Sequence, residues 1–134
     1  MIKKTSNQIE YSSYQDGYLK VPSMIQVWFK SNNVYKVYLT RGIGGCLFLF
    51  TDKQWVIEEN NLRSMLNVDS NEFKRLNSLF LGSTEVIQIK KSDYTQMPLS
   101  EVLRSFAGIE EKAVFVSLQK RIEIWNENVF EKHN

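Results

Sequence analysis

Cysteine and histidine are almost absent from this sequence, with one of each, Cys46 and His133. A lone cysteine excludes an internal disulfide framework and a cysteine-based zinc cluster. A lone histidine beside the C-terminus would hang a Ser-His-Asp or Cys-His site from a fraying end, so that chemistry is not expected. Long apolar runs are missing too. The longest, Gly42 to Phe50, is far short of the ~20 residues a membrane-spanning helix needs. Lys3 and Lys4 precede polar residues rather than an apolar segment, which does not read as a secretory signal. Arg41-Gly42-Ile43-Gly44-Gly45 lacks the Gly-Lys-Ser/Thr of a phosphate loop and reads as a turn. Glu58-Glu59 and Glu110-Glu111 are adjacent pairs that point apart, not an acid–base couple. The expectation is a cytoplasmic protein that is not an enzyme and uses no metal, cofactor or small-molecule substrate.

What is present is ordinary globular material, 43% hydrophobic and 24% charged over 134 residues. That length makes one domain of usual size, or two very small units sharing a core. Charge is uneven. Residues 1–45 hold six basic side chains against two acidic, while residues 46–134 hold 11 against 13. A basic N-terminal third is either a weak electrostatic footprint for nucleic acid or ordinary surface lysine, and composition does not choose.

Short strands and short helices alternate. Pro22 opens a helix through Phe29, as proline suits a first turn. Val34 to Thr40 is β-branched and aromatic, and Cys46 to Phe50 is a largely buried strand. Thr51 or Asp52 caps a helix with Trp55, Leu62 and Leu66 on one face, and Asp69 or Ser70 starts another with Phe73, Leu76 and Phe80 inward. Then the order recurs: a strand over 84–90, a helix over 100–106 stopped by Gly108, strands over 112–117 and 121–125, and a last helix capped by Asn126.

The halves can be laid on each other. Val21 to Ile25 matches Leu99 to Leu103, Tyr35 to Leu39 matches Lys112 to Val116, and Leu47 to Phe50 matches Ile122 to Trp125. The spacing differs by three residues, which the glycine turn at 42–45 is expected to absorb. A half of this size hardly buries a core alone, so two halves in one body, with a helical pair between them, is the economical solution.

Several segments carry a more specific resemblance. They are Gly17-Tyr18-Leu19-Lys20-Val21-Pro22, Cys46 to Phe50 with Trp55, Phe73-Lys74-Arg75-Leu76 with Leu79-Phe80-Leu81-Gly82, Val102 to Ile109, and Ile122-Glu123-Ile124-Trp125-Asn126-Glu127. In this order they resemble the MraZ family across nearly the whole chain. The resemblance implies a strand-rich α+β fold of two tandem AbrB-like units, of the swapped-hairpin, double-split β-barrel type. The repeats would span 8–53 and 83–128, with a central helical pair over 54–82. It also implies a transcriptional regulator of the bacterial cell-division and cell-wall gene cluster. Its partners would be double-stranded DNA at promoter repeats and further copies of itself in a ring-like homo-oligomer, without a membrane, at the nucleoid.

The family's signature, Asp-x-x-x-Arg once per half, is altered here. The first copy aligns with Tyr14-Gln15-Asp16-Gly17-Tyr18 and the second with Ser92-Asp93-Tyr94-Thr95-Gln96. Both arginines are gone. An arginine fork pairs two acceptors on a guanine edge or grips a phosphate; tyrosine offers one hydroxyl, and glutamine reads adenine but neutralises nothing. The candidate DNA-binding residues are therefore Tyr14, Tyr18, Lys20, Lys90, Lys91 and Gln96. The lysines serve either as phosphate contacts or as solvated turn residues. Tyr11, Tyr14 and Tyr18 either stack on bases or pack on neighbours. The competing reading is a ring-forming interaction scaffold that has lost sequence-specific DNA binding.

Overall fold

A computed structural model describes residues 8–65, 71, 75 and 84–132 of the chain. Its elements run β1 (Gln8–Gln15), β2 (Tyr18–Lys20), α1 (Ser23–Ser31), β3 (Lys36–Arg41), β4 (Leu47–Thr51) and α2 (Asp52–Met65). They continue with β5 (Glu85–Gln88), β6 (Gln96–Pro98), α3 (Glu101–Ala107), β7 (Lys112–Ser117), β8 (Ile122–Asn126) and α4 (Glu127–Lys132). The eight strands form one sheet in the order β5-β3-β4-β8-β7-β1-β2-β6. Every pairing is antiparallel. The sheet is barrel-like and nearly closed: Lys90, just after β5, and Asp93, just before β6, form a bridge between its two ends. The fold is strand-rich α+β.

Local chemistry explains the boundaries. Asp16 and Gly17 both have positive φ, +52° and +93°, which is the two-residue turn that joins antiparallel strands with the right twist. Thr51 Oγ1 accepts from Gln54 N–H while Gln54 Oε1 accepts from Thr51 N–H, a reciprocal cap that starts α2. Ser100 Oγ accepts from Leu103 N–H at the start of α3, and Gly108 ends it at φ +66°. Asn126 Oδ1 accepts from Val129 N–H and caps α4.

The core has layers on both faces of the sheet. β4 is continuously apolar because both of its faces are covered. Leu47 and Leu49 face the barrel interior, whereas Phe48 and Phe50 join Cys46 and Trp55 in an outer cluster. Trp55 of α2 stacks on Tyr38 with ring centres 5.0 Å apart. On β7, Phe115 points inward while Val114 and Val116 pack under Phe130 of α4.

Read as a ring closed at the Lys90–Asp93 bridge, the sheet order is unchanged when the first four strands are exchanged for the last four. At one crossing, Leu19 of β2 lies opposite Met97 of β6, flanked by Tyr18 opposite Pro98 and Lys20 opposite Gln96. The flanking backbone bonds are reciprocal, Val21 N–H to Thr95 O at 2.8 Å and Leu99 N–H to Gly17 O at 2.9 Å. At the other crossing, Phe48 of β4 lies opposite Glu123 of β8. An internal two-fold passes through both crossings.

One of the three expected registers shifts. Lys36–Arg41 is the counterpart of Lys112–Ser117, one residue from the alignment read off the sequence. Two of the three spacing residues sit in α1, which runs to Ser31 where Gly108 stops α3 early; only one falls in the 42–45 turn. Of the expected helical pair, the second member, over 69–82, lies outside the described residues, apart from 71 and 75, as do the side chains of Leu62 and Leu66. β1 and β6 have no strong apolar pattern, and only the family resemblance pointed to hairpins there.

Leu19 and Met97 are both fully buried on the internal two-fold. Leu19→Ala or Met97→Ala is expected to cost about 2–5 kcal/mol, read from urea denaturation midpoints. A cost under about 1 kcal/mol in both would contradict a core organised around this crossing.

Candidate nucleic-acid interface

The β2–β6 crossing has an inner and an outer face. Leu19 and Met97 point in, so Tyr18, Lys20, Gln96 and Pro98 point out, and all four are exposed. Register sets Lys20 beside Gln96 and Tyr18 beside Pro98. Two candidates from different halves, Lys20 and Gln96, thus become neighbours. Gln15, opposite Tyr18, and Ser13 are exposed alternate residues of β1 that extend this face. Neither stands out in the sequence, because the mostly polar β1 has no apolar alternation to mark an inside; the register of Tyr14 with Leu19 supplies it.

Tyr14 goes elsewhere. It pairs with inward-facing Leu19 and packs, half-buried, against the barrel core, with the Arg104 guanidinium 4.4 Å from its ring centre. Tyr14 and Tyr18 therefore lie on opposite faces.

Lys90 and Lys91 belong to the turn of the second hairpin, closed by Asp93 N–H to Lys90 O at 2.9 Å. This hairpin leads into Gln96, so it lies at the Lys20 end of the crossing, while the Asp16–Gly17 turn lies at the Tyr18 end. Both lysines are exposed. Thr95 donates to Asp93 Oδ1 through its backbone N–H at 2.9 Å and through its hydroxyl. These hydrogen bonds hold the Asp93 carboxyl below the usual carboxylate range. The second turn thus carries a hydrogen-bonded acid, Asp93, beside Lys90 and Lys91, while the first turn carries Asp16 at the Tyr18 end.

The second hairpin is longer than the first by three residues. Tyr14 N–H bonds Glu111 O at 2.7 Å, and its counterpart is Ile89 N–H to Tyr35 O at 2.8 Å. Ser92, which the signature spacing sets against Tyr14, lies in the turn instead.

Two clefts are related by the same internal symmetry. One, of about 510 Å³, is walled by Arg104, Glu110, Glu111, Lys112 and Glu127. Its counterpart, of about 390 Å³, has Trp28, Val34, Tyr35, Lys36 and Asp52. The same backbone frame is acidic in one half and aromatic in the other. Among the described residues, no three His, Cys, Asp or Glu side chains come together as metal ligands, and no helix is long and apolar enough to cross a membrane. Cys46 is buried with its thiol donating to Ile43 O at 3.3 Å, and burial pushes its pKa up to about 12.

These features define an internally duplicated, barrel-like α+β protein that presents a polar strand face on its symmetry axis. No protein-family model matches the chain. Individual relatives do. A protein named transcriptional regulator MraZ from Clostridium beijerinckii is 31% identical over 101 residues, 74% of this chain and 68% of its own. Its namesake from Carboxydothermus hydrogenoformans is 29% identical over 126 residues, covering 92% and 83%. That from Syntrophomonas wolfei is 26% identical over 129 residues, covering 95% and 84%. The chain belongs to the MraZ family.

The Cys46 thiol should react only when the fold opens. Labelling with a chromogenic disulfide at pH 8 is expected to be slow in buffer and complete in denaturant, since the thiolate is the nucleophile. Rapid stoichiometric labelling of folded protein would contradict its burial.

Proposed function

We propose that this chain is a DNA-binding transcriptional regulator of the cell-division and cell-wall gene cluster, acting at the nucleoid on promoter repeats. Its two units, 8–53 and 83–128, joined through the 54–82 segment, hold the duplex mainly through phosphate contacts. The observation that carries this reading is the outer face of the β2–β6 crossing. Lys20 and Gln96, from different halves, stand side by side next to the internal two-fold, with the Lys90–Lys91 turn at the same end. An approximate two-fold of strands suits a duplex, whose backbones are themselves related by two-folds. The relatives' names as transcriptional regulators support the class.

With tyrosine and glutamine at the signature arginine positions, reading of base edges is weak and the lysines supply most of the affinity. Few contacts per protomer then require several protomers on spaced repeats, so the chain acts as a homo-oligomer. Exposed apolar side chains on the two equivalent helices support self-association: Met24 and Val27 on α1, Val102 and Phe106 on α3. The same surfaces favour the second reading, a ring-forming scaffold without sequence-specific DNA binding.

Titration against the duplex upstream of the protein's own gene, at several salt concentrations, separates them. The expected result is a steep salt dependence with a small preference over random duplex. Lys20→Ala and the Lys90→Ala, Lys91→Ala double variant should each weaken binding alike on any sequence, flattening the log–log salt slope by about one unit per lost phosphate contact. Tyr18→Arg should raise affinity or selectivity. Selective binding unaffected by the lysine variants would contradict the proposed face. An oligomer with no affinity for duplex would select the scaffold reading.

A further inference from the structure

We infer that Arg104 is a positioning residue that locks the first hairpin in place from the opposite half of the molecule, and that it does not itself hold DNA. Its guanidinium lies 4.4 Å from the Tyr14 ring centre. One terminal nitrogen donates to both Glu101 carboxylate oxygens, at 2.9 and 3.2 Å, and the other donates to Glu110 O at 3.4 Å. The next carbonyl, Glu111 O, accepts from Tyr14 N–H at 2.7 Å. One side chain of α3 thus grips both the loop that receives β1 and the ring that β1 inserts.

This is where β1 changes partner. Its residues through Ser13 pair with β7, and Tyr14 and Gln15 pair with β2. Beyond lie only the Asp16–Gly17 turn and Tyr18. Three sides of the guanidinium are committed, and its side chain is 26% exposed, so it cannot reach a phosphate without abandoning the stack. A guanidinium on an aromatic face is directional, because it needs the ring's plane and not just a nearby charge.

The second half holds its hairpin differently. The α1 counterpart of Arg104 is Gln26, whose side-chain amide donates to Val21 O at 2.7 Å, within its own half. There the hairpin rests on an aromatic contact, Tyr94 against Phe29 of α1 at 6.5 Å. Each hairpin is seated on the other half's helix, but only the first seat is cationic. The shorter hairpin, ending on Tyr18, is therefore the one whose pose Arg104 sets.

Hydrogen exchange read by mass spectrometry tests this without DNA. Arg104→Gln and Tyr14→Ala should each speed exchange of the Gln15–Lys20 amides about threefold to tenfold, leaving residues 90–95 unchanged. Tyr14→Phe keeps the ring and should keep the exchange rate. Glu101→Gln removes only an exposed ion pair and should also leave it unchanged. Equal acceleration in both hairpins would reduce Arg104 to a general stabiliser, and an Arg104→Gln effect reproduced by Glu101→Gln would place the lock in the ion pair; either overturns the inference. The DNA consequence rests on the function proposed above: Arg104→Gln should weaken binding with an unchanged salt slope, because no phosphate contact is lost. A slope lower by about one unit would make Arg104 a phosphate ligand instead and overturn the inference. Failure of the unaltered protein to bind duplex would defeat the proposed function while the exchange result still decides the role of Arg104.

Discussion

Leu19 and Met97 meet across the β2–β6 pair, and the rest of the molecule depends on that contact. Each is the single inward residue of a three-residue strand, so neither half can seat its hairpin without the other. Burying both side chains contributes roughly 2–3 kcal/mol each and fixes the register. Register in turn decides the outer face, because side chains alternate: with Leu19 and Met97 inside, Tyr18, Lys20, Gln96 and Pro98 must point out. The hydrophobic core and the candidate interface are two sides of one strand pair.

Duplication supplies the frame, and divergence sets what each half presents. Equivalent positions carry Glu111 and Tyr35, Asn126 and Thr51, Arg104 and Gln26, so the two clefts and the two hairpin seats differ in charge on a common backbone. The second hairpin, three residues longer, places Lys90 and Lys91 at its turn, while the shorter first hairpin ends on Asp16 and Gly17. A symmetric scaffold therefore offers an asymmetric surface, with cations gathered at the Lys20 end and an aromatic side chain at the other.

Much of the framework was legible in the sequence because it is written in strong local signals. The Leu47–Phe50 run, the alternating Ile122–Trp125 strand, Gly108 as a stop and Asn126 as a cap all mark elements whose chemistry is contained within a few residues. β1 and β6 were not legible in this way. β1 is mostly polar, since one of its faces meets solvent, and β6 is three residues long, held by pairing rather than by propensity. The displaced Tyr14 has the same origin: its side depends on the register with Leu19, a tertiary property that spacing from a signature motif does not contain. Ser92 fell in the turn because an insertion in a hairpin changes spacing without changing the ladder. Gln15 and Ser13 joined the exposed face only once the period-two pattern had an assigned inside.

The central claim is that duplex DNA lies on the outer face of the β2–β6 crossing and its flanking hairpins. Hydrogen-exchange mapping of the protein with and without bound duplex tests it most directly. Protection is expected over residues 13–20 and 90–98, with α2 and α4 unaffected. Protection confined to α2 and α4, with the crossing exchanging as in the free protein, would contradict the account.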